Sequence, residues 1–283
     1  MARRPDNQIV GVCRFSYPAK AGFRLSAEGH DAIVDALYAP ERLRRRFAYF
    51  EMICLPSLAA QTDPDFTLVV LIGDAMPIRW RKRLKALRAT YPFLQICAAE
   101  PLGPLQATRR AFRIGAVEDV PFVTGFRLDD DDAVACDYIE RLRETSDRLL
   151  DAGWATEETP VAIGFQSGIY WALDKPGLPV FRFSEIRPLA QASAMITPFD
   201  FRLNIFRWNH AHLLAHVRCW TDPEPDMFVR SVHDGNDSGR TVPKGAERLP
   251  PGEAVSVLRD RFGLAPMRIR PQLGRLHGTD HAE

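Results

Sequence analysis

No two of the five cysteines, Cys13, Cys54, Cys97, Cys136 and Cys219, stand at the close spacing of a zinc or redox motif. They lie singly, mostly in apolar runs, so a disulfide framework is excluded and reduced core thiols of a cytoplasmic protein are expected. An excess of charge is missing too: 37 Lys and Arg against 36 Asp and Glu leave no overall field to draw the chain to nucleic acid. No apolar run approaches the ~20 residues of a membrane span, and the polar start, Met1 to Asp6, lacks the apolar stretch of a secretory signal. The expectation is a protein of the cytoplasm with at most weak contact with the inner membrane surface. Repeats and low-complexity tracts are absent as well.

What is present is an ordinary globular composition over 283 residues, 46% hydrophobic and 26% charged, enough for one large α/β domain. Short apolar runs at Ile9–Phe15, Phe66–Ile72, Leu94–Ala98 and Phe122–Leu128 read as buried strands. Between them, helical spacing marks Leu43, Phe47, Phe50, Cys54 and Leu58, with Arg42, Arg44, Arg45 and Arg46 mostly facing away; a basic helix over 79–90 and a helix over 104–117 follow. Strands alternating with helices predict a mostly parallel, Rossmann-like sheet flanked by helices. A helix over 137–150 comes next. After residue 160, short segments at Val161–Phe165, Ile169–Leu173 and Val180–Phe183 predict an antiparallel or mixed extension. Helical stretches near His210–Val217 and Met227–Val232, a loop from Asp234 to Gly239, and a loosely attached tail beyond Arg240 complete the reading.

The strand ending at Leu128 runs directly into Asp129, Asp130, Asp131 and Asp132. In open α/β sheets ligands bind outside the carboxyl ends of the strands, so the run falls where such a fold places its site. One or two carboxylates would suffice to cap the following helix. Four adjacent ones repel, and burial would raise their pKa values unless a cation compensates. Oxygen ligands favour Mg²⁺ or Mn²⁺, which commonly bridge to substrate phosphates.

The run Arg127-Leu128-Asp129-Asp130-Asp131-Asp132-Ala133 resembles the Asp-x-Asp-Asp element of nucleotide-sugar glycosyltransferases of the A-type (GT-A) fold. Arg14-Phe15-Ser16, Tyr49-Phe50-Glu51, Leu55-Pro56-Ser57-Leu58, Gln61 to Phe66, Gly164-Phe165 and Gly168 to Trp171 narrow the likeness to the rhamnosyl transferase family, over roughly residues 8–240. The resemblance implies a GT-A-like domain over 1–240, with a nucleotide-binding half at about 8–135, an acceptor half at about 136–240, and a tail from 241 to 283. It implies a hexosyltransferase with a dTDP-, UDP- or GDP-linked donor and a glycan or lipid-linked acceptor, dependent on Mn²⁺ or Mg²⁺, with rhamnose taken from the family name. By the same likeness Asp129 would hold the ribose or base side, Asp131 the metal, and Asp132 the donor sugar or the metal waters. The register leaves Asp130 able to exchange roles with a neighbour, and Asp129 able to join the metal.

Enzymes of the A-type often add a late histidine to that metal, and His233 is the match. His212 and His216, four apart, form a weaker zinc candidate without a nearby carboxylate. Should transfer invert the anomeric centre, Glu224 and Asp226 stand where related inverting enzymes carry their base, Asp226 slightly favoured. From position alone, Arg14 and Tyr17, just after the first strand, would meet the nucleotide. Gln166, Ser167, Tyr170 and Trp171 would form an acceptor wall, with Trp171 equally suited to the core. Two other classes stay open: a Mg²⁺-dependent phosphoryl-transfer enzyme, and a non-catalytic nucleotide- or glycan-binding domain.

Overall fold

Every side chain from Leu68 to Ile72 is Leu, Val or Ile, so neither face of that strand can meet water, and the sheet must be covered on both sides. A computed structural model describes residues 6–20, 29–118, 120–185, 191–200, 202–236 and 241–277. In it β1 (Asn7–Arg14), β2 (Thr67–Gly73), β3 (Leu94–Ala99) and β4 (Phe122–Arg127) are parallel neighbours. The helices between them are α1 (His30–Tyr38), α2 (Pro40–Tyr49), α3 (Leu55–Ala59), α4 (Ile78–Thr90) and α5 (Pro104–Gly115), with a π turn, Phe50–Cys54, joining α2 to α3.

After β4 come β5 (Ala133–Val134), α6 (Tyr138–Asp151), β6 (Val161–Phe165), β7 (Ser167–Ala172), β8 (Val180–Ser184), β9 (Ala194–Pro198), β10 (Arg218–Asp222), β11 (Phe228–Val232) and β12 (Glu247–Arg248). The main sheet has the order β10-β6-β9-β4-β1-β2-β3, in which β9 is antiparallel to β4 and β6. A second, mixed sheet has the order β12-β8-β7-β11-β5. The fold is α/β, a mostly parallel sheet flanked by helices with a mixed C-terminal extension, as expected.

Alternate residues of the strands feed two cores. Ile9, Cys13, Leu68 and Val70 pack with Leu43, Phe47 and Phe50 on one face, while Val10, Val12, Val69 and Val123 pack with Ala107, Ala111 and Phe112 of α5 on the other. Each fully buried Phe or Leu contributes about 1.5–3 kcal/mol relative to exposure. Gly125 in β4 is required by this packing, since a Cβ there would lie 2.7 Å from the Phe112 ring. Asn7 ties the amino end of the sheet to α6, donating to Ser146 Oγ and Asp147 Oδ1, each at 2.9 Å, while accepting from Thr124.

Three expectations are corrected. Residues 228–232 form a strand, not a helix: Phe228, Val229, Ser231 and Val232 are buried between β7 and β5, whose hydrogen bonds hold the segment extended. The segment His210–Ala215 is a 3-10 turn, so His212 and His216 do not share a face; His216 stacks on Trp208, with centroids 5.2 Å apart, and His212 is exposed. The chain beyond Arg240 is not loose over its described part. There α7 (Pro251–Ser256), a π turn at Val257–Arg261 and α8 (Pro266–His277) bury Ala254, Leu258, Phe262, Leu264, Ile269 and Leu273 in the main core. Among the described residues no helix is long and apolar enough to cross a membrane.

Candidate functional site

Asp129 to Asp132 leave the carboxyl end of β4 in a turn closed by the Asp132 N–H donating to Asp129 O at 3.2 Å. Strand β5 follows and pairs with β11, which brings the residues after β11 back over the turn. The Leu-Pro-Ser-Leu and Gln elements on and after α3 brace this segment. Ser57 Oγ accepts the Val134 N–H at 3.3 Å, and the Gln61 amide donates to Ala135 O and accepts from Ile139 N–H. The aspartates are therefore presented from rigid backbone.

Three of the four are buried, Asp130 at 0% exposed, Asp131 at 4% and Asp132 at 2%. The compensating cation is a side chain of the protein. Arg46 of α2 grips Asp130 with two donors, Nε at 2.7 Å from Oδ2 and Nη2 on Oδ1, and sends Nη1 to Asp131 Oδ2 at 2.9 Å. Burial pushes the Asp130 carboxyl up to about 7; Arg46 pulls it back while Asp131 and Asp129 add to the rise. Burial would raise Asp131 as well, yet Arg46 and the His233 contact hold it below the usual carboxylate range. Asp132, buried and beside Asp131 and Asp129, is raised well above that range, with its Oδ1 accepting the Ser231 N–H at 2.9 Å.

His233, 1% exposed, stacks on Tyr49 with centroids 4.3 Å apart and places Nε2 3.1 Å from Asp131 Oδ2. The pairing of Asp131 with His233, expected from the resemblance, is present. Its chemistry differs from metal ligation. The Gly235 N–H donates to His233 Nδ1 at 3.1 Å, so the ring proton sits on Nε2 and points at Asp131. Asn236 Nδ2 reaches the same Oδ2 at 3.2 Å. That single oxygen thus receives three donors, and both oxygens of Asp130 are filled by Arg46. The residues present do not fit the expected Mg²⁺ or Mn²⁺ seat: among the described residues no group of three metal-binding side chains is assembled, and of the expected ligand atoms Asp131 Oδ2 and His233 Nε2 are engaged with each other, Oδ2 also with Arg46 and Asn236. The carboxylate of Asp129 is half-buried and has no hydrogen-bonded partner among the described residues.

The remaining expected residues divide. Arg14 is exposed at the carboxyl end of β1. Tyr17 is only 5% exposed, its hydroxyl donating to Glu100 O at 2.7 Å and accepting from Leu102 N–H, so it presents no face to a base. Trp171 and Tyr170 are 0% and 1% exposed, the latter donating to Glu185; they are core residues rather than an acceptor wall. Gln166 is half-buried, and Ser167 Oγ is tied to Pro223 O and Ser184. Asp226 is held by Arg182 Nε at 2.9 Å. It also precedes Ser231 by five residues, roughly 16 Å along an extended chain, which removes it from the aspartates. Glu224 is exposed just beyond β10, at the carboxyl edge of the main sheet, its N–H donating to Asp222 Oδ1 and its carboxylate without a partner among the described residues. Of the expected loop, Asp234 to Asn236 form a turn, and Asp237, Ser238 and Gly239 lie outside the described residues.

Sequence reasoning missed Arg46, Asn236 and Arg127. Arg127, the last residue of β4, has a buried Nε without a partner; burial, aided by Arg14, pulls its guanidinium down to about 10. Its guanidinium lies 4.9 Å from the Phe206 ring centroid, and that of Arg14 lies 5.1 Å from the same ring.

Residues 8–245 match the family described as "putative rhamnosyl transferase". No curated protein matches the sequence. Among solved structures, residues 1–349 of S. aureus TarS with UDP-GlcNAc are 13% identical, with a TM-score of 0.43, over 95% of this chain and 74% of that one. The same region with UDP is also 13% identical, with a TM-score of 0.41, over 80% and 60%. The chain spans 37% of a longer TarS structure, at 13% identity and a TM-score of 0.42. Likenesses this distant bear no argument about the site.

Proposed function

The chain belongs to the family described as "putative rhamnosyl transferase", and we propose that it moves a sugar from a nucleotide diphosphate to a hydroxyl acceptor at the carboxyl edge of the main sheet. The observation that carries this reading is the set of three buried aspartates after β4, fixed by Arg46, His233 and Asn236. Carboxyl groups held in place at a sheet's binding edge suit orientation of a sugar and a ribose, whose hydroxyls bond to them. A capped turn would need one or two of these groups.

Asp129, with an unengaged carboxylate, is suited to the ribose, and Asp131 and Asp132, locked by their donors, to orienting the sugar. Of the two base candidates, Asp226 is consumed by Arg182, whereas Glu224 is open at the same edge and can take the acceptor proton if the transfer inverts. The donor sugar, with rhamnose suggested by the family description, the nucleotide among dTDP, UDP and GDP, and a glycan or lipid-linked acceptor are the finer parts of the proposal.

The test is release of free nucleoside diphosphate from a panel of dTDP-, UDP- and GDP-linked sugars, with a set of hydroxyl acceptors, in chelator and in added Mg²⁺ or Mn²⁺. Acceptor-dependent release from one donor supports the reading. Tight nucleotide binding without release from any donor under either condition would instead identify a non-catalytic binding domain.

A further inference from the structure

Asp131, expected to hold a metal, is already paired with Arg46 from the α2 side, which leaves open what would receive a diphosphate. On the other face of the sheet stand Arg14 and Arg127. Val12 of β1 is paired with Arg127 of β4, so Arg14, two residues on, projects from the same face one step nearer the carboxyl edge. The two strands are neighbours, about 4.8 Å apart. Both guanidinium groups lie against the ring of Phe206, at 5.1 and 4.9 Å from its centroid.

This arrangement has two physical consequences. Stacking on an aromatic ring uses the face of a guanidinium and leaves its N–H edge free. Neither the Arg14 nor the Arg127 guanidinium donates a hydrogen bond to, or forms an ion pair with, any described residue, and the Nε of Arg127 is buried without a partner. Two like charges side by side, one of them half-buried, form a cost that a multiply charged anion would remove. A diphosphate offers several oxygens to two planar forks, the geometry guanidinium groups recognise best.

We propose that Arg14 and Arg127, stacked on Phe206, grip the diphosphate of the nucleotide-sugar donor directly, so that donor binding needs no divalent metal. This rests on the transferase reading above. It departs from that reading's sequence-based expectation, because the cation at the leaving group is arginine and not Mg²⁺ or Mn²⁺. Asp129, at the turn beside Arg127, would then hold the ribose next to the diphosphate.

The experiment is calorimetric titration of the full chain with dTDP, UDP and GDP in EDTA and again in Mn²⁺, with the matching nucleosides and inorganic pyrophosphate as probes. Arg127→Gln and Arg14→Gln are compared with the unaltered protein; Arg14 is exposed, so its variant tests the site even if Arg127→Gln folds poorly. The expected result is binding of one nucleoside diphosphate in EDTA, weakened at least tenfold by either substitution, with the weaker nucleoside binding unchanged. Pyrophosphate is expected to compete. Binding that appears only with Mn²⁺ and changes less than twofold in both variants overturns the inference while leaving the transferase reading intact. Failure of all three nucleotides under both conditions overturns both.

Discussion

Replacing Arg46 with Met removes the only cation in contact with Asp130 among the described residues, while keeping most of the apolar stem. The Arg46 and Asp130 side chains are 12% and 0% exposed, and Asp131 is at 5%, so two carboxylates would be left with little access to water. Breaking a buried pair from one side costs about 3–5 kcal/mol, which corresponds to a fall in melting temperature of roughly 6–20 °C for a domain near this size. The loss should depend on pH. Without Arg46 the folded-state pKa of Asp130, already raised to about 7 by burial, should rise further, and that of Asp131 should move up because one of the contacts holding it low is gone. A carboxyl with a raised folded pKa destabilises increasingly as pH climbs above the unfolded pKa, until the folded group also ionises. The stability difference should therefore be largest near pH 8 and shrink toward pH 5. Thermal melts across that range measure it, and adding Asp130→Asn to Arg46→Met should recover more than half of the loss at pH 8. A loss below about 1 kcal/mol at pH 8, the level of a surface pair, or a loss that does not change with pH, would refute the charge-compensation argument.

Three further outcomes are expected. Glu224→Gln should lower turnover by about 10²–10⁴-fold, the usual worth of a general base, while nucleotide affinity measured by titration stays within threefold; unchanged turnover removes Glu224 from the chemistry. Trp171→Ala should cost about 3–5 kcal/mol in urea denaturation, because Trp171 is wholly buried; a stable variant with altered acceptor KM would restore the acceptor-wall role. Phe262→Ala should cost a similar amount, because Phe262 is 0% exposed within the main core, and a melting temperature equal to that of the unaltered chain would return residues beyond 240 to the status of a loose tail.

The parallel part of the main sheet was legible because buried parallel strands leave continuous apolar runs such as Leu68–Ile72, and because helices between them keep a clear stripe. Met227-Phe228-Val229 misled because a short apolar run fits a helix or a strand equally well; only its partners, β7 and β5, decide. Strand β9 lies antiparallel between β4 and β6, a placement set by long-range pairing that no local pattern encodes. In the tail, Ala254, Leu258 and Phe262 do recur at helical spacing, but surrounding Pro, Gly and Arg obscured it.

At the site, four charges after an apolar strand marked the place, and the resemblance paired His233 with Asp131. The identity of the counter-charge was hidden. Arg46 sits three residues after Leu43 and four before Phe50, both wholly buried, so its position on the apolar stripe was visible while its charge argued for solvent. A charged residue inside a helix's buried stripe is a sign that an opposite charge waits opposite.

Phosphorus NMR of each sugar nucleotide incubated with the protein and a hydroxyl acceptor tests the central claim most directly. Sugar transfer predicts that for one donor the sugar-bearing phosphorus signal converts to the terminal phosphate of a nucleoside diphosphate, and that Asp131→Asn abolishes the conversion. Cleavage between the two phosphates, giving a sugar phosphate and a nucleoside monophosphate, or no change with any donor, would contradict it.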